Sequence, residues 1–388
     1  MSNQAPSLTS MLEGLIRTLS VSSVTPAFDH SNRPLIDLLA SWLESAGFRV
    51  EILSIPGRPD KANLLATLGR GPGGLVLSGH TDTVPFDAHL WKHDPLRLTE
   101  SDGRYYGLGT SDMKSFLGLA IEAARGLAAA DLTRPLMILA TADEESAMHG
   151  ARALVAAGRP LGRYAVIGEP TGLRPVRLHK GVMGESIRLV GRSGHASDPT
   201  LGNNAMEGMY DVIGALMAWR AELQQAHRHP AFKIPHPTLN LGHIHGGDNP
   251  NRICGECELH LDLRILPALS PADVRAELSR RVATVAERRG LIWQVEPLFE
   301  SVPAAETPAG SALVRAAEAL TGHVAEAVSF GTEAPFLNQL GMETIVLGPG
   351  DIAQAHQPDE YLALDRITPT LELLRALIRR FCLAPGKS

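Results

Sequence analysis

Short apolar runs alternate with helical patterns in the first half of the chain, and this alternation constrains the fold most. Four apolar runs, each bounded by turn residues, have the length of buried strands: residues 63–68, 75–77, 136–140 and 165–167. Helical patterns at 114–130 and 151–157 separate several of them. Such alternation is typical of a mostly parallel sheet covered on both faces. We therefore predict an α/β fold whose mixed, mostly parallel sheet is flanked by helices.

The pattern changes after Gly181, where two predicted helices stand among a few strands. The strands are expected at 185–190, 239–244 and 252–266, and the helices at 204–225 and 272–288. Farther on, strands near 324–329 and 344–347 and a last helix at 368–382 restore the α/β pattern. The chain has 388 residues, more than one ordinary core holds. The sequence predicts a larger domain in two parts, 1–181 and 298–388, with a smaller α+β domain inserted at 182–297.

Charge and hydropathy exclude several classes of partner. The net charge is 36 − 42 = −6, so nothing in the composition favours nucleic acid or an anionic membrane. No uninterrupted apolar stretch reaches the length of a membrane span. The first residues, MSNQAPSLTSMLEG, lack a basic region followed by an apolar run. We expect a cytoplasmic protein.

Cysteine usage points to a reducing compartment. The 3 cysteines are an odd and small number, which argues against a disulfide framework. Cys254 and Cys257 form a CxxC pair, but no second pair or nearby histidine pair would complete a zinc site. The pair also lies in an extended stretch, so a structural role is favoured over zinc binding or redox chemistry.

Histidine, aspartate and glutamate residues follow the predicted strands. Ligands of open α/β sheets collect beyond the carboxyl ends of the strands, so side chains placed there should meet. Five segments deliver such residues: His80 with Asp82, Asp112, Asp143 with Glu144 and Glu145, Glu169, and His356. Each alone could be a cap or a turn residue, but their convergence suits divalent zinc, cobalt or manganese. The number of carboxylates favours two ions, which together can activate one water molecule.

The spacing of His80 and Asp82 adds a further expectation. Residues at i and i+2 of an extended segment point to the same side. We therefore expect the Asp82 carboxylate to accept the second imidazole N–H of His80 and to orient the ring.

Five motifs resemble those of the M20 family of metallopeptidases and deacylases. They are SGHTDTVP at 78–85, GLGTSDMK at 107–114, TADEE at 141–145, GEPT at 168–171 and SGHAS at 193–197. The resemblance covers essentially the whole chain and implies that the larger domain is catalytic. It implies one metal ion on His80, Asp112 and Glu169. Asp112 then bridges to a second ion, which Glu145 and His356 complete.

The resemblance also implies the cofactor and the mechanism. The two divalent ions are expected to be zinc, with cobalt able to substitute. Glu144 is the expected general base, which takes a proton from a metal-bound water before the resulting hydroxide attacks the amide. A cis peptide bond is expected after Asp112.

Further residues are implied by the resemblance to bind substrate. The inserted domain is similar to a lid and dimerisation domain, and His195 in it resembles a histidine that reaches the partner subunit of a homodimer. Asn251, Arg264 and Thr332 match substrate-binding positions. Each has an alternative: His195 could be part of a polar turn, Arg264, which alternates with Asp262 on a strand face, could form a cross-strand salt bridge, and Asn251 and Thr332 could be turn residues. Glu333 could bind a substrate ammonium or be a surface carboxylate.

Three stretches narrow the expected substrate. The segments HIHGGD at 243–248, NRIC at 251–254 with DLR at 262–264, and TEAPF at 332–336 with QAHQPDEY at 354–361 resemble members that deacetylate N-acetylornithine in arginine biosynthesis. The related desuccinylases typically have TSDGR in place of TEAPF. Other N-acyl amino acids such as acetylcitrulline, broader aminoacylase action and dipeptide cleavage remain open. A non-catalytic metal-binding relative also remains, although it would not need Glu144.

Overall fold

The computed structural model describes residues 5–384, which divide into two compact units. The first unit comprises the described residues up to Arg177, Thr307–Glu326, and those from Thr332 onward. The second comprises Leu178–Glu306 and Ala327–Gly331. The inserted domain expected at 182–297 lies within this second unit, which extends beyond it at both ends. None of the helices in the described part of the chain is long and apolar enough to cross a membrane.

The first unit contains most of the helices and strands. Its helices are α1 (Leu8–Arg17), α2 (Arg33–Ser45), α3 (Lys114–Ala123), α4 (His149–Ala157), α7 (Ala312–Thr321), α8 (Ala334–Gln339) and α9 (Ile367–Cys382). Its strands are β1 (Arg49–Ile55), β2 (Arg58–Leu68), β3 (Leu75–His80), β4 (Thr99–Ser101), β5 (Arg104–Tyr106), β6 (Leu136–Thr141), β7 (Tyr164–Pro170), β15 (Glu343–Gly348) and β16 (Tyr361–Ala363). Short 3-10 helices cover Ala88–Leu90, Ala129–Asp131 and Leu364–Arg366.

The main sheet of the first unit has the strand order β1-β2-β6-β3-β7-β15. β3 is parallel to both β6 and β7, and β15 is parallel to β7. β2 is antiparallel to β6, and β1 is antiparallel to β2. The predicted mixed, mostly parallel sheet with flanking helices is therefore confirmed. Because four neighbouring strands run in one direction, their carboxyl ends lie at one edge of the sheet. A separate small sheet pairs β16, β5 and β4.

The central strands are buried along their whole length, as strands covered by helices on both faces must be. Every residue of β3 and of β7 is buried, which explains their continuous apolar runs. Helix α3 is buried at all but one of its positions, and it contacts α1, α9 and β3. A side chain at Gly168 of β7 would place its Cβ 1.9 Å from the Phe116 ring of α3. Only glycine therefore allows this helix to approach the sheet so closely.

Helix α3 ends earlier than the predicted range of 114–130. It stops at Ala123, and Gly126 adopts a left-handed conformation with φ of +84°. Glycine in this conformation ends a helix because other residues adopt it at a steric cost. The prediction was therefore wrong for the last part of the range, where apolar spacing continued into a turn.

The second unit contains an antiparallel sheet and two long helices. Its elements are β9 (Gly181–Val190), α5 (Ala205–Ala226), β10 (Thr238–Gly246), β11 (Glu256–Ile265), α6 (Pro271–Arg288), β12 (Ile292–Pro297), β13 (Ala305–Glu306) and a 3-10 helix at Pro199–Leu201. The strand order is β10-β11-β9-β12, and each neighbouring pair is antiparallel. Strands β8 (Val176–His179) and β14 (Glu326–Val328) run from one unit into the other.

Alternation along β11 explains how this sheet binds its helices. Every second residue from Cys257 to Ile265 is buried and belongs to a core that residues of α5 and α6 complete. The predicted strand at 252–266 began too early, because Arg252 donates its main-chain N–H to Asn249 in a turn. Cys254 and Cys257 are free thiols in this core. Burial raises the pKa of Cys257 to about 11, which agrees with a structural role.

Candidate active site

One edge of the main sheet collects the histidine and acidic residues that were expected there. His80 is the last residue of β3, and Glu169 is the last but one of β7. The other members lie in loops, with Glu144 and Glu145 after β6, His356 after β15, and Asp112 shortly before α3. The peptide bond between Asp112 and Met113 is cis, as expected. Residues far apart in sequence thus meet because parallel strands end at the same edge.

Asp112 lies between the two imidazoles. Its Oδ1 atom is 3.3 Å from the Nε2 atom of His80, and its Oδ2 atom is 3.4 Å from the Nε2 atom of His356. Each carboxylate oxygen therefore faces a different histidine. This is the arrangement that a carboxylate needs in order to bridge two cations.

Three further carboxylates complete the cluster. Glu169 Oε2 is 3.8 Å from His80 Nε2, and Glu145 Oε2 is 3.0 Å from His356 Nε2. Donor atoms of His80, Glu144 and Glu169 lie within 4.8 Å of one another, and so do those of His80, Asp112 and Glu145. Two overlapping groups of ligands therefore share His80.

The carboxylates repel one another when no cation separates them. Burial, together with the charge of Glu169, raises the pKa of Glu144 well above its ordinary value. Burial also raises the pKa of Glu169 to about 7 against the opposing effect of His80. Buried carboxylates that lie this close together are unfavourable unless positive charge is added. The site thus has the electrostatic character of a cation-binding site.

The imidazoles take up part of this negative charge. Hydrogen bonds with Asp112 and Glu145 raise the pKa of His356 to about 10. Burial lowers the pKa of His80, but hydrogen bonds with Asp112 and Glu169 outweigh it and raise the pKa well above the usual value. In the metal-bound state the same nitrogens would bind the ions instead of protons. Two imidazoles and several carboxylates fit borderline divalent ions such as zinc or cobalt, and no cysteine is part of the cluster.

A buried ion-pair network holds the loop that carries Glu144 and Glu145. Asp143 has a left-handed backbone with φ of 59°, and its carboxylate is 2.9 Å from Lys61 Nζ. Its other oxygen is 3.2 Å from His149 Nδ1. The main-chain carbonyl of Asp143 accepts the N–H of Met148 at 2.6 Å. Side chain and main chain of Asp143 together fix the turn that presents both glutamates.

Asp82 contacts His80 differently from the prediction. The Nδ1 atom of His80 lies 3.0 Å from the main-chain carbonyl oxygen of Asp82, whereas the carboxylate is 3.8 Å away. The carboxylate instead accepts the main-chain N–H of Glu145 at 3.0 Å. The expected hydrogen bond of the carboxylate with the ring was therefore wrong, because the main-chain carbonyl of Asp82 occupies Nδ1, and the nearer carboxylate oxygen, Oδ1, has no hydrogen-bond partner among the described residues. The main-chain carbonyl orients the ring in its place.

Glu333 is a buried acid and not a surface carboxylate. Its side chain is 1 % exposed, and one oxygen accepts the hydroxyl of Thr141 at 2.8 Å. The other oxygen has no hydrogen-bond partner among the described residues. Burial raises the pKa of Glu333 to about 8. The surface alternative was wrong because α8 begins directly after this residue and carries it into the interior.

Thr332 is also buried, next to Glu333. Its hydroxyl oxygen accepts the main-chain N–H of Ala334 at 3.1 Å, in the first turn of α8. This contact corresponds to the turn-residue alternative that the sequence left open. A role in substrate binding stays a prediction.

The remaining predicted residues lie in the second unit. His195 is exposed, and its Nδ1 atom is 2.7 Å from the Ser197 hydroxyl. The neighbouring Ala196 donates its N–H to the main-chain oxygen of Asn251 at 3.0 Å, so these two segments lie side by side. The guanidinium of Arg264 donates two hydrogen bonds to the carboxylate of Asp262, at 2.9 and 3.0 Å. This pair lies within β11 and not across strands, because residues at i and i+2 share a face.

Glu360 is a buried acid that the sequence assigned no role. Its carboxylate accepts the main-chain N–H groups of Gly109, Ser111 and Asp112. The residue belongs to the segment QAHQPDEY, four positions after His356. The sequence does mark this residue, because it is an acid between His356 and an apolar strand. The sequence does not show which residues it contacts.

Comparison with known proteins agrees with this arrangement. Residues 76–380 match the model of peptidase family M20/M25/M40. The chain belongs to this family.

Two relatives with named activities are similar over nearly their full length. An acetylornithine deacetylase of Pasteurella multocida (strain Pm70) is 50% identical over 377 residues, which is 97% of this chain and 98% of the relative. An acetylornithine deacetylase of Edwardsiella ictaluri (strain 93-146) is 50% identical over 382 residues, or 98% of this chain and 100% of the relative.

A solved structure shares the fold. Aminopeptidase PepT from Bacillus cereus ATCC 10987 superposes with a TM-score of 0.74 at 20% sequence identity, covering 97% of this chain and 99% of that chain. At this level of identity the likeness concerns the fold alone.

Proposed function

We propose that the protein is a dinuclear metal-dependent amide hydrolase that removes acetate from N2-acetyl-L-ornithine and releases L-ornithine. The observation that carries the dinuclear assignment is Asp112, whose two oxygens lie 3.3 and 3.4 Å from two different imidazoles. The substrate assignment is supported by the acetylornithine deacetylases at 50% identity. A role in arginine biosynthesis is part of this proposal, because the reaction would release L-ornithine.

The residues of the cluster divide into two proposed metal sites. The inner site consists of His80, Asp112 and Glu169, all of which are buried. The outer site consists of Asp112, Glu145 and His356, and the His356 side chain is 51% exposed. We propose zinc in both sites, with cobalt able to substitute, because imidazole and carboxylate ligands suit both ions. The ions, when bound, lower the pKa of a water molecule and polarise the substrate carbonyl.

Glu144 is the proposed general base. Its carboxylate lies in the same group of possible metal ligands as His80 and Glu169. Other carboxylates, however, are the closest partners of His80 and His356. Burial raises the pKa of its carboxyl, which brings it closer to the range in which a carboxylate can accept and later return a proton. The residue would take a proton from the attacking water and deliver it to the leaving amine.

Five further residues are proposed to take part in substrate binding or to support the site. Arg264 would bind the substrate carboxylate, since a guanidinium matches the two oxygens of a carboxylate. It would have to release Asp262, its present partner, in order to do so. His195 would stabilise the charge that develops on the carbonyl oxygen, and Asn251, Thr332 and Asp82 would support the site. We propose that the second unit is a lid and dimerisation domain, and that His195 acts in the partner subunit of a homodimer.

The cytoplasm is the proposed location. All three cysteines are free and buried, which fits a reducing compartment.

A substrate panel tests the proposed function. Zinc-loaded protein is given N-acetylornithine, N-acetylcitrulline and N-acetylmethionine, and acetate release is measured with and without a chelator. Metal-dependent release with the highest kcat/KM for N-acetylornithine supports the proposal. A higher kcat/KM for N-acetylcitrulline or N-acetylmethionine would show that the site selects the citrulline or methionine side chain and not that of ornithine. Absence of acetate release from all three would reject the deacetylase function.

The panel needs a control that separates catalysis by this site from a contaminating activity. Glu144→Gln, purified in parallel, keeps the size and hydrogen-bonding length of the side chain but removes its basicity. Equal activity in this variant would show that the measured release comes from elsewhere.

A further inference from the structure

We propose that Glu360 is a positioning residue that fixes the loop bearing Asp112 relative to the loop bearing His356 and so preforms the outer metal site. The proposal rests on the proposed function in so far as it takes the cluster to bind two ions. It does not depend on which acyl amino acid is the substrate.

The carboxylate of Glu360 binds three main-chain N–H groups of one short loop. Its Oε2 atom accepts from Gly109 at 2.9 Å, and its Oε1 atom accepts from Ser111 at 2.7 Å and from Asp112 at 2.9 Å. The residue is 1 % exposed. A buried loop must satisfy its N–H groups within the protein, and here a single side chain satisfies three of them.

The shape of this loop leaves little freedom for other arrangements. Gly109 has φ of +86°, and a Cβ at this position would lie 2.6 Å from Cδ of Lys114. Thr110 donates its N–H to the carbonyl of Gly107 at 3.1 Å. The N–H groups on either side of Thr110 therefore point together to one acceptor, as in the concave anion-binding turns of other proteins. The last of them belongs to Asp112, the residue that both metal sites share.

Main-chain contacts join the same two loops. The carbonyl of Glu360 accepts the N–H of Gly107 at 3.0 Å. The hydroxyl of Ser111 accepts the N–H of Asp351 at 3.0 Å, so the segment 351–360 is held at both ends. His356 lies inside this segment, 3.4 Å from Asp112. At one of these two ends, the position of His356 relative to Asp112 thus depends on the contacts of Glu360.

The two metal sites should depend on Glu360 to different degrees. Two of the three proposed inner-site ligands, His80 and Glu169, are held by the buried strands β3 and β7, and only Asp112 of that site lies in the loop that Glu360 contacts. His356 lies in a loop, and its side chain is half-exposed. Loss of the Glu360 contacts should therefore weaken the outer site more than the inner site.

Two substitutions of Glu360 distinguish the effect of its acceptor atoms from the effect of its side-chain length. In Glu360→Gln an NH2 group replaces one oxygen and would face an N–H group, so at least one hydrogen bond is lost. Glu360→Asp keeps both acceptor oxygens but is one methylene shorter. Because a buried N–H group left without a partner is costly, losing one of these hydrogen bonds should weaken outer-site zinc binding about tenfold or more. The zinc affinity of the inner site should change by less than about threefold, which is the effect of losing a weak hydrogen bond between neutral groups.

Zinc titration of the intact protein is the first test. Metal-free wild type, Glu360→Gln and Glu360→Asp are titrated in chelator-buffered zinc, and bound zinc is counted by atomic emission. Glu343→Gln is the matched control, because Glu343 also accepts hydrogen bonds in the first unit but lies outside the cluster. Selective loss of the second zinc in the Glu360 variants supports the proposal. Unchanged binding, or equal weakening at both sites, overturns it.

Hydrogen exchange provides a test that needs no variant and remains available if the substitutions prevent folding. Exchange of the amides of Gly109, Ser111 and Asp112 is measured in wild-type protein with and without zinc. Equally slow exchange in both states supports a loop that Glu360 organises before metal binds. Rapid exchange that becomes slow only with zinc overturns the proposal, because the metal would then organise the loop. Neither result depends on acetate release, so failure of the proposed function would be recognised separately by the substrate panel.

Discussion

Lys61 and Asp143 form a buried ion pair directly beside the residues proposed for catalysis. The Nζ atom of Lys61 lies 2.9 Å from Oδ1 of Asp143, and both side chains are 0% exposed. Lys61 also lies 2.8 Å from Asp29. Asp143 immediately precedes Glu144 and Glu145, so the pair links a strand residue of β2 to the loop that carries two members of the cluster.

Replacement of Lys61 should destabilise the protein strongly. Lys61→Met leaves Asp143 buried with less positive charge nearby, and removing one partner of a buried pair costs about 3–5 kcal/mol. Urea unfolding of the metal-free protein measures this loss. Arg33→Met is the control, because the Arg33–Asp37 pair is exposed and should contribute about 0–1 kcal/mol. A loss in Lys61→Met no larger than in the control would contradict a stabilising role for the buried pair.

Substitution of the proposed general base should separate metal binding from turnover. Glu144→Gln should bind the same amount of zinc as wild type and unfold at the same temperature. Its kcat should fall about 10²–10⁴-fold, the usual contribution of general acid–base catalysis. Steady-state kinetics with N-acetylornithine and zinc analysis of the same samples provide the measurement. Near-normal turnover would remove Glu144 from the role of base.

His195 should affect catalysis without affecting metal binding. His195→Ala should lower kcat about 10²–10³-fold, as does the loss of one donor to a developing oxyanion, with zinc content unchanged. Mixed dimers of His195→Ala and Glu144→Gln subunits test whether the histidine acts across a dimer. Each such dimer would contain one complete site, so activity should partly return. No recovery in dimers verified to be mixed would show that His195 acts within its own subunit.

The buried acid Glu333 should make the metal-free protein less stable as the pH rises. The pKa of its carboxyl is about 8 in the folded protein against a reference value of 4.5, so the folded state holds the proton more tightly. This contribution to stability is full below pH 4.5 and is lost as the pH rises towards and through 8.

Glu333→Gln should remove this contribution, since an amide has the same shape and does not titrate. The decline in unfolding free energy between pH 5 and pH 8 should be smaller in the variant by roughly 2–4 kcal/mol. Urea unfolding of both proteins at the two pH values, in the presence of a chelator, measures the difference. Parallel curves for the two proteins would mean that Glu333 does not titrate in this interval.

The central sheet and the residues at its edge were predictable because both depend on local patterns. The apolar runs that lead to His80, Glu144 and Glu169 are continuous, as in strands that are buried on both faces. The direction of those strands then brings their ends together. The antiparallel edge strand β1 was not predictable in the same way, since it is largely half-exposed and its register depends on pairing with β2.

The residues that support the site could not be read from the sequence. Glu360 and Ser111 are 249 positions apart, and nothing in either segment identifies the other as its partner. Glu333 resembles any polar residue at the start of a helix, so its burial depends on how α8 packs. The carboxylate of Asp82 was expected at His80, but the main-chain carbonyl of Asp82 occupies Nδ1 of the ring, and the carboxylate accepts the N–H of Glu145. Such choices are made by tertiary packing and not by spacing.

The buried state of every native thiol has a practical consequence for labelling. Cys254, Cys257 and Cys382 are at most 7% exposed, and burial raises the pKa of Cys382 to about 12, so maleimide dyes should leave them unmodified. Cysteines introduced at exposed positions would then carry fluorophores without removal of a native cysteine.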